Sequence, residues 1–219
     1  MAKKNSMPDA GSLMDSAALG LWGLVMMFIG AALAVAVEIL VNLFTVSHGL
    51  PVVNGTYLVL LIGASAVTAI GLAIVFLGVR GVGRHYMDTS LGRTFGIGAA
   101  ILVASSFIII PLDTFAMASA AHVTNSIFGG QLTQKITFTS FYGSIAYAAI
   151  PYIAASWVIG VIAYYLIYRS YKGIERHSGI KMFGTSANLL LIGAVIPIIG
   201  GIIAFIGMIL GLVAWNRLG

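Results

Sequence analysis

Two carboxylic acids stand inside long apolar stretches, Glu38 and Asp113, and they have the strongest claim to chemistry in this sequence. An acid near the centre of a membrane helix costs ~2.5–3.5 kcal/mol on insertion scales, so a chain that keeps one commonly uses it for a proton or ion. Asn42 lies one helical turn beyond Glu38 and so shares its face, while His48 and His122 fall near the same boundary as both acids. Glu38, Asn42 and Asp113 together form a candidate intramembrane polar site, opening outward, for a proton or a cation. A structural reading stands beside it. An acid close to the interface reaches water, and Asp113 follows Pro111, where a broken helix leaves amides to cap.

Six cations, Arg80, Arg84, Arg93, Arg169, Lys172 and Arg176, form a basic inner face, and attraction to anionic headgroups accounts for them without a specific ligand. Other chemistries find no footing. The chain has no cysteine, which excludes a disulfide framework and a thiolate metal site. Haem ligation needs histidines facing each other from within helices, yet His48, His85, His122 and His177 all fall at or beyond helix ends. Gly81-Val82-Gly83 closes a basic helix and follows no strand, so it is no nucleotide fingerprint. Neither a His-Glu zinc motif nor a nucleophile elbow stands in a workable position. The sequence therefore predicts no catalytic residue, no metal site and no cofactor.

The elements that must carry these residues are membrane helices. Of the 219 residues 60% are hydrophobic and 8% charged, with a mean hydropathy of +1.05; that leaves too few charges to coat a soluble globule. The apolar residues come in five blocks: about Ala18 to Val46, Tyr57 to Val79, Thr94 to Ala121, Phe141 to Tyr168 and Phe183 to Trp215. Each is long enough to cross ~30 Å of hydrocarbon at ~1.5 Å per residue. The expected fold is an all-α integral membrane protein of about five transmembrane helices. Residues 1–17 read as a polar tail, and residues 18–219 as one transmembrane domain with an outer loop at 122–140. The first block runs too long for a signal peptide. In the outer loop, Gly129-Gly130 and the alternating Ile136-Thr137-Phe138-Thr139 suit a small β-hairpin or an irregular loop equally.

With the N-terminus inside, nine of the eleven Lys and Arg fall on inner segments; only Lys135 and Arg217 fall outside. That bias predicts a multi-pass protein of the cell membrane with a cytoplasmic N-terminus. The Asn54-Gly55-Thr56 sequon then lies outside. The net charge of +5 is dispersed between apolar blocks and speaks of orientation, not of nucleic acid. The last block carries Pro197 and Gly200-Gly201 near its centre. It reads as one kinked span, or else as a re-entrant hairpin that would return Arg217 inside.

Small residues in that block, Gly193, Pro197, Gly200, Ala204, Gly207 and Gly211, recur at spacings of four and three and form a helix-packing seam. Tyr164, Tyr165, Tyr168 and Tyr171, with Trp215 at the opposite side, read as interfacial anchors. A repeat also suggests itself. Arg84-His85 precedes Phe95-Gly96 and Pro111 much as Arg176-His177 precedes Phe183-Gly184 and Pro197. Parallel repeats about an axis along the membrane normal, and chance similarity between two basic loops, both remain open.

The run from Tyr168 through Arg169-Ser170-Tyr171-Lys172-Gly173-Ile174-Glu175-Arg176-His177-Ser178-Gly179-Ile180-Lys181-Met182 to Phe183, followed by Leu191-Ile192-Gly193-Ala194, resembles an uncharacterised archaeal membrane-protein family. That family is catalogued as a domain of unknown function, nine-nine-six. Gly78 to Phe95 resembles its first inner loop. The likeness spans about two thirds of the chain and leaves aside the long first helix and the outer loop. It implies an archaeal multi-pass protein without an established activity, and it supplies no catalytic residues. The expected function is accordingly a non-enzymatic accessory or assembly subunit, partnered by the bilayer and by other membrane subunits or copies of itself. A small proton- or cation-coupled transporter or channel using Glu38 and Asp113 is the alternative.

Overall fold

The computed structural model describes residues 10–48, 55–106, 138–196 and 199–219. Among these every regular element is helical: α1 (Ala10–His48), α2 (Gly55–His85), α3 (89–106), α4 (Phe138–Ser178), α5 (Lys181–Val195) and α6 (Gly200–Leu218). Three are long and apolar enough to cross a membrane, with spans Ser12–Val37, Val59–His85 and Gly200–Leu218; α5 is a shorter apolar helix. The first helix starts at Ala10, inside the stretch expected to be a polar tail, and it already buries Ser16 and Ala17. Phe138 and Thr139, which suited either a β-hairpin flank or an irregular loop, open α4. The rest of that flank, Gly129-Gly130 included, lies outside the described residues.

The helices run alternately up and down, and each packs on its neighbours in sequence. Between α1 and α2 the contact is backbone to backbone. A Cβ added at Gly23 would stand 2.5 Å from the Val75 nitrogen, and one at Gly71 2.7 Å from the Gly23 carbonyl oxygen. Toward one end Gly78 meets Gly20; toward the other Gly30 meets Ala64 and Thr68, which is an antiparallel register. In lipid, helices gain little by hiding apolar surface from each other, so the close van der Waals approach that glycine permits must hold the pair. At the far side of α2, Gly96 of α3 accepts the Phe76 ring. The next contact is α3 on α4, where Gly98 lies against Ala163.

The last apolar block is not one kinked span. It is a helical hairpin, α5 and α6, with Gly193 against Gly200 and Ala204, and Leu190 against Gly207. Ile196, the residue before Pro197, is extended at φ −96° and ψ 108°, as the proline ring demands of its predecessor. The helix therefore stops there, and its successor packs back antiparallel. On α6, Gly200, Ala204, Gly207 and Gly211 share one face. It closes the hairpin onto this chain's own α5 and α1: a Cβ added at Gly211 would stand 3.1 Å from both Leu24 and Ser186. Pro197 itself lies outside the described residues.

Because α6 returns, Gly219 ends beside Ala17 near the start of α1, where a Cβ added at Gly219 would stand 3.1 Å from the Ala17 Cβ. The six described helices thus close a ring in which α6 touches α1. Arg217 sits at the end that holds the α2–α3 and α4–α5 turns, and not at the opposite end as the single-span reading expected. All eight described Lys and Arg gather at that end.

Candidate functional site

The basic end is where polar side chains meet, and its frame is aromatic. Trp215 and Phe183 are fully buried and Tyr171 is 2% exposed. Their rings meet edge to face, Phe183 on Trp215 at 5.2 Å and Tyr171 on Phe183 at 5.6 Å, while Phe95 stacks on Tyr171 at 6.0 Å. These are favoured aromatic geometries, each adding roughly 0.5–1.5 kcal/mol beyond simple burial. Trp215 donates its indole N–H to the Tyr171 hydroxyl at 3.3 Å. Tyr171 and Trp215 are therefore core residues on the same end, not anchors on opposite sides. Tyr165, by contrast, is exposed and stacks on Tyr168.

Buried hydroxyls tie the helices around this frame. Ser170 of α4 donates to the Leu91 carbonyl of α3 at 2.8 Å, and Ser186 of α5 donates to the Gly207 carbonyl of α6 at 2.8 Å. Farther from the basic end, the Trp157 indole of α4 donates to the Ala194 carbonyl of α5 at 2.9 Å. The α2–α3 and α4–α5 turns are also joined to each other. His177 Nε2 lies 3.1 Å from Asp88 Oδ2, and its ring stacks on Tyr86 at 5.3 Å. Asp88 caps α3 through its other oxygen, which accepts the Ser90 N–H at 3.0 Å and the Ser90 hydroxyl at 2.5 Å. The Ser90 hydroxyl, with help from His177 and the Ser90 amide and against partial burial, holds the Asp88 carboxyl below its usual pKa. Beside it, His85 Nδ1 is buried and has no hydrogen-bond partner among the described residues.

The six basic residues do not make one uniform face. Arg80, Arg84 and Arg93 line a groove of about 940 Å³ between α2 and α3. Lys172 forms an ion pair with Glu175 at 2.9 Å, and Arg169 and Arg176 are exposed elsewhere on α4. The polar site proposed from the sequence is placed only in part. Glu38 and Asn42 fall on α1, with side chains outside the described set, and Asp113 and His122 lie outside the described residues. Among the described residues no group of three or more His, Asp or Glu could hold a metal ion.

Two features escaped the sequence reading. The α1–α2 glycine contacts were available as the spacing of Gly20, Gly23 and Gly30 and of Gly71, Gly78 and Gly81, but spacing alone does not say which helices pair. The groove had no local signal, because Arg93 joins Arg80 and Arg84 only once α3 folds back on α2.

The repeat has a firmer register in three dimensions. Counted from the one left-handed residue of each turn, Met87 (φ 57°) and Gly179 (φ 73°), Arg84-His85 matches Arg176-His177, and Leu91-Gly92 matches Phe183-Gly184. The first bond of each following helix matches too, Leu91 N–H to Asp88 at 3.4 Å and Phe183 N–H to Ile180 at 3.1 Å. The alignment on Phe95-Gly96 was one helical turn out.

A family model described as a protein of unknown function (DUF996) matches residues 67–215, well over half the chain. No curated protein and no solved structure matches it.

Proposed function

Starting from a chain that belongs to this family of proteins of unknown function (DUF996), we propose a non-enzymatic, multi-pass membrane component that serves as an accessory or assembly subunit. One observation carries the reading. The interior hydroxyls of Ser170 and Ser186 and the Trp215 indole are each committed to a neighbouring helix. Polar groups spent this way make a rigid body; a transport path needs them free to meet a substrate. The faces turned outward carry large apolar side chains such as Ile29, Leu33, Val35, Ile202 and Phe205, available to lipid or to other membrane subunits.

The gathering of cations at one end supports a cytoplasmic location for that end, and so for both chain termini, in the cell membrane. On this reading α5 and α6 enter from the cytoplasmic side and return to it, α5 rising only about 22 Å. An archaeal source, which the family likeness implies, belongs to the same reading.

Purification of the intact protein in mild detergent, with identification of every co-eluting chain, tests this role. Stable recovery with defined membrane subunits is the expected result. A clean monomer or homo-oligomer would overturn it. If such a preparation then lost proton flux in proteoliposomes on Glu38→Gln or Asp113→Asn, the transporter reading would take its place.

A further inference from the structure

We propose that the groove between α2 and α3 binds one anionic phospholipid from the leaflet at the basic end, holding its phosphate with Arg80, Arg84 and Arg93. Three like charges stand at the groove with nothing among the described residues to balance them. All three arginines line the same groove, all three are exposed, and none has an ion pair among the described residues. The groove contains no carboxylate. The nearest acid in sequence, Asp88, is occupied by Ser90 and His177. Converging arginines favour a phosphate, whose oxygens accept paired N–H donors from a planar guanidinium.

The groove's shape selects a lipid over a free anion. It continues away from the arginines along small and apolar side chains, among them Ala69, Ala73, Phe76, Gly96, Ala100 and Ala104. From Gly96 to Ala104 the apolar wall rises about 12 Å, close to the ~15 Å hydrocarbon depth of one leaflet. A soluble phosphate has no use for that wall, whereas acyl chains do. The close packing of the two helices sets the mouth: a Cβ at Gly92 would stand 3.2 Å from the Arg80 Cα, so the α3 backbone, and Arg93 with it, is held against α2.

Among the described residues, the second hairpin arranges its charges differently. The position seven before its left-handed residue is Lys172, the counterpart of Arg80, and Glu175 neutralises it. Where Glu175 stands, the first hairpin has Gly83.

The test is native mass spectrometry of the full chain, released from detergent with phosphatidylglycerol or with phosphatidylcholine of matched acyl chains. Retention of one phosphatidylglycerol and little phosphatidylcholine is expected. At ~5-fold per removed cation, R80Q/R84Q/R93Q should weaken phosphatidylglycerol binding on the order of 100-fold, while the charge-matched R169Q/R176Q/R217Q should cost less than about 5-fold. Ala100→Phe, which narrows the apolar wall without touching charge, should also weaken it, with unchanged elution showing that each variant is folded. Equal losses in the two triple variants would overturn the proposal in favour of diffuse attraction. So would displacement of the lipid by excess inorganic phosphate together with indifference to Ala100→Phe, which would mark a free-anion site.

Discussion

The two basic-end hairpins, α2–α3 and α4–α5, share a backbone plan and differ in how they treat charge. Both carry Arg-His in the last turn of their first helix, turn through one left-handed residue and start the next helix with the same backbone bond. In the first, Asp88 caps the outgoing helix and three arginines are left facing a groove. In the second, Ile180 provides no side-chain cap, Lys172 is neutralised by Glu175, and Phe183 is driven into the aromatic core. A common turn can thus carry either an anchoring face or a binding face. The few residues set within one turn of the bend, such as Gly83 against Glu175, decide which.

The aromatic anchor should produce the largest effect. Trp215→Ala removes a fully buried ring that contacts Phe183, Tyr171 and Gly20, and a loss of about 3–5 kcal/mol is expected from cavity formation. Thermal unfolding in detergent reads it. A loss under about 1 kcal/mol would mean that the second hairpin is held by something other than this cluster.

The turns should respond with opposite signs. Gly179→Ala places a Cβ in open space but in a left-handed backbone, so a loss of about 1–2 kcal/mol is expected from conformation alone. Met87→Gly relieves the same strain in the first hairpin and should gain up to about 1 kcal/mol. Shifts of the same sign in the melting temperatures would break the equivalence of the two turns.

A smaller effect is pH-dependent. The folded carboxyl of Asp88 titrates below its ordinary value of 3.8, so its contribution to stability is complete above that pH and disappears as pH falls through the lower, folded value. Asp88→Asn keeps a good helix cap and loses the charge facing His177. About 0.5 kcal/mol should be lost near neutrality, as suits a half-exposed pair, and the acid limb of the stability profile should flatten. An unchanged limb in the variant would dissociate Asp88 from that transition. The smallest change is expected from Glu175→Gln, about 0.3 kcal/mol for a partly buried helix pair three residues apart. A larger loss would show that Glu175 holds the second hairpin together and does more than cancel Lys172.

Much of the fold is legible in the residues because the bilayer leaves the backbone so few choices. Apolar blocks must be helices there, cationic ends mark the turns, and the residues around position 197 announce a break without its direction; α5 ends at Val195. The seam on α6 was also legible, since small residues at helical spacing have one main use in lipid. The groove was not. Arg80 and Arg93 are thirteen positions apart, and nothing local to either residue records that Gly92 lets α3 press against α2.

By itself, then, the sequence determined a helical membrane protein with its cations gathered by the turns, because hydropathy and charge act on each segment separately. Which helices adjoin was decided only by the tertiary structure. Helices apolar on every side carry no mark of the face that will find a partner, so α1 meeting α2 through Gly23 and Gly71, and α6 returning to close the ring on α1, follow from how close two backbones can come. The burial of Trp215 and Tyr171 and the convergence of three arginines are consequences of that closure.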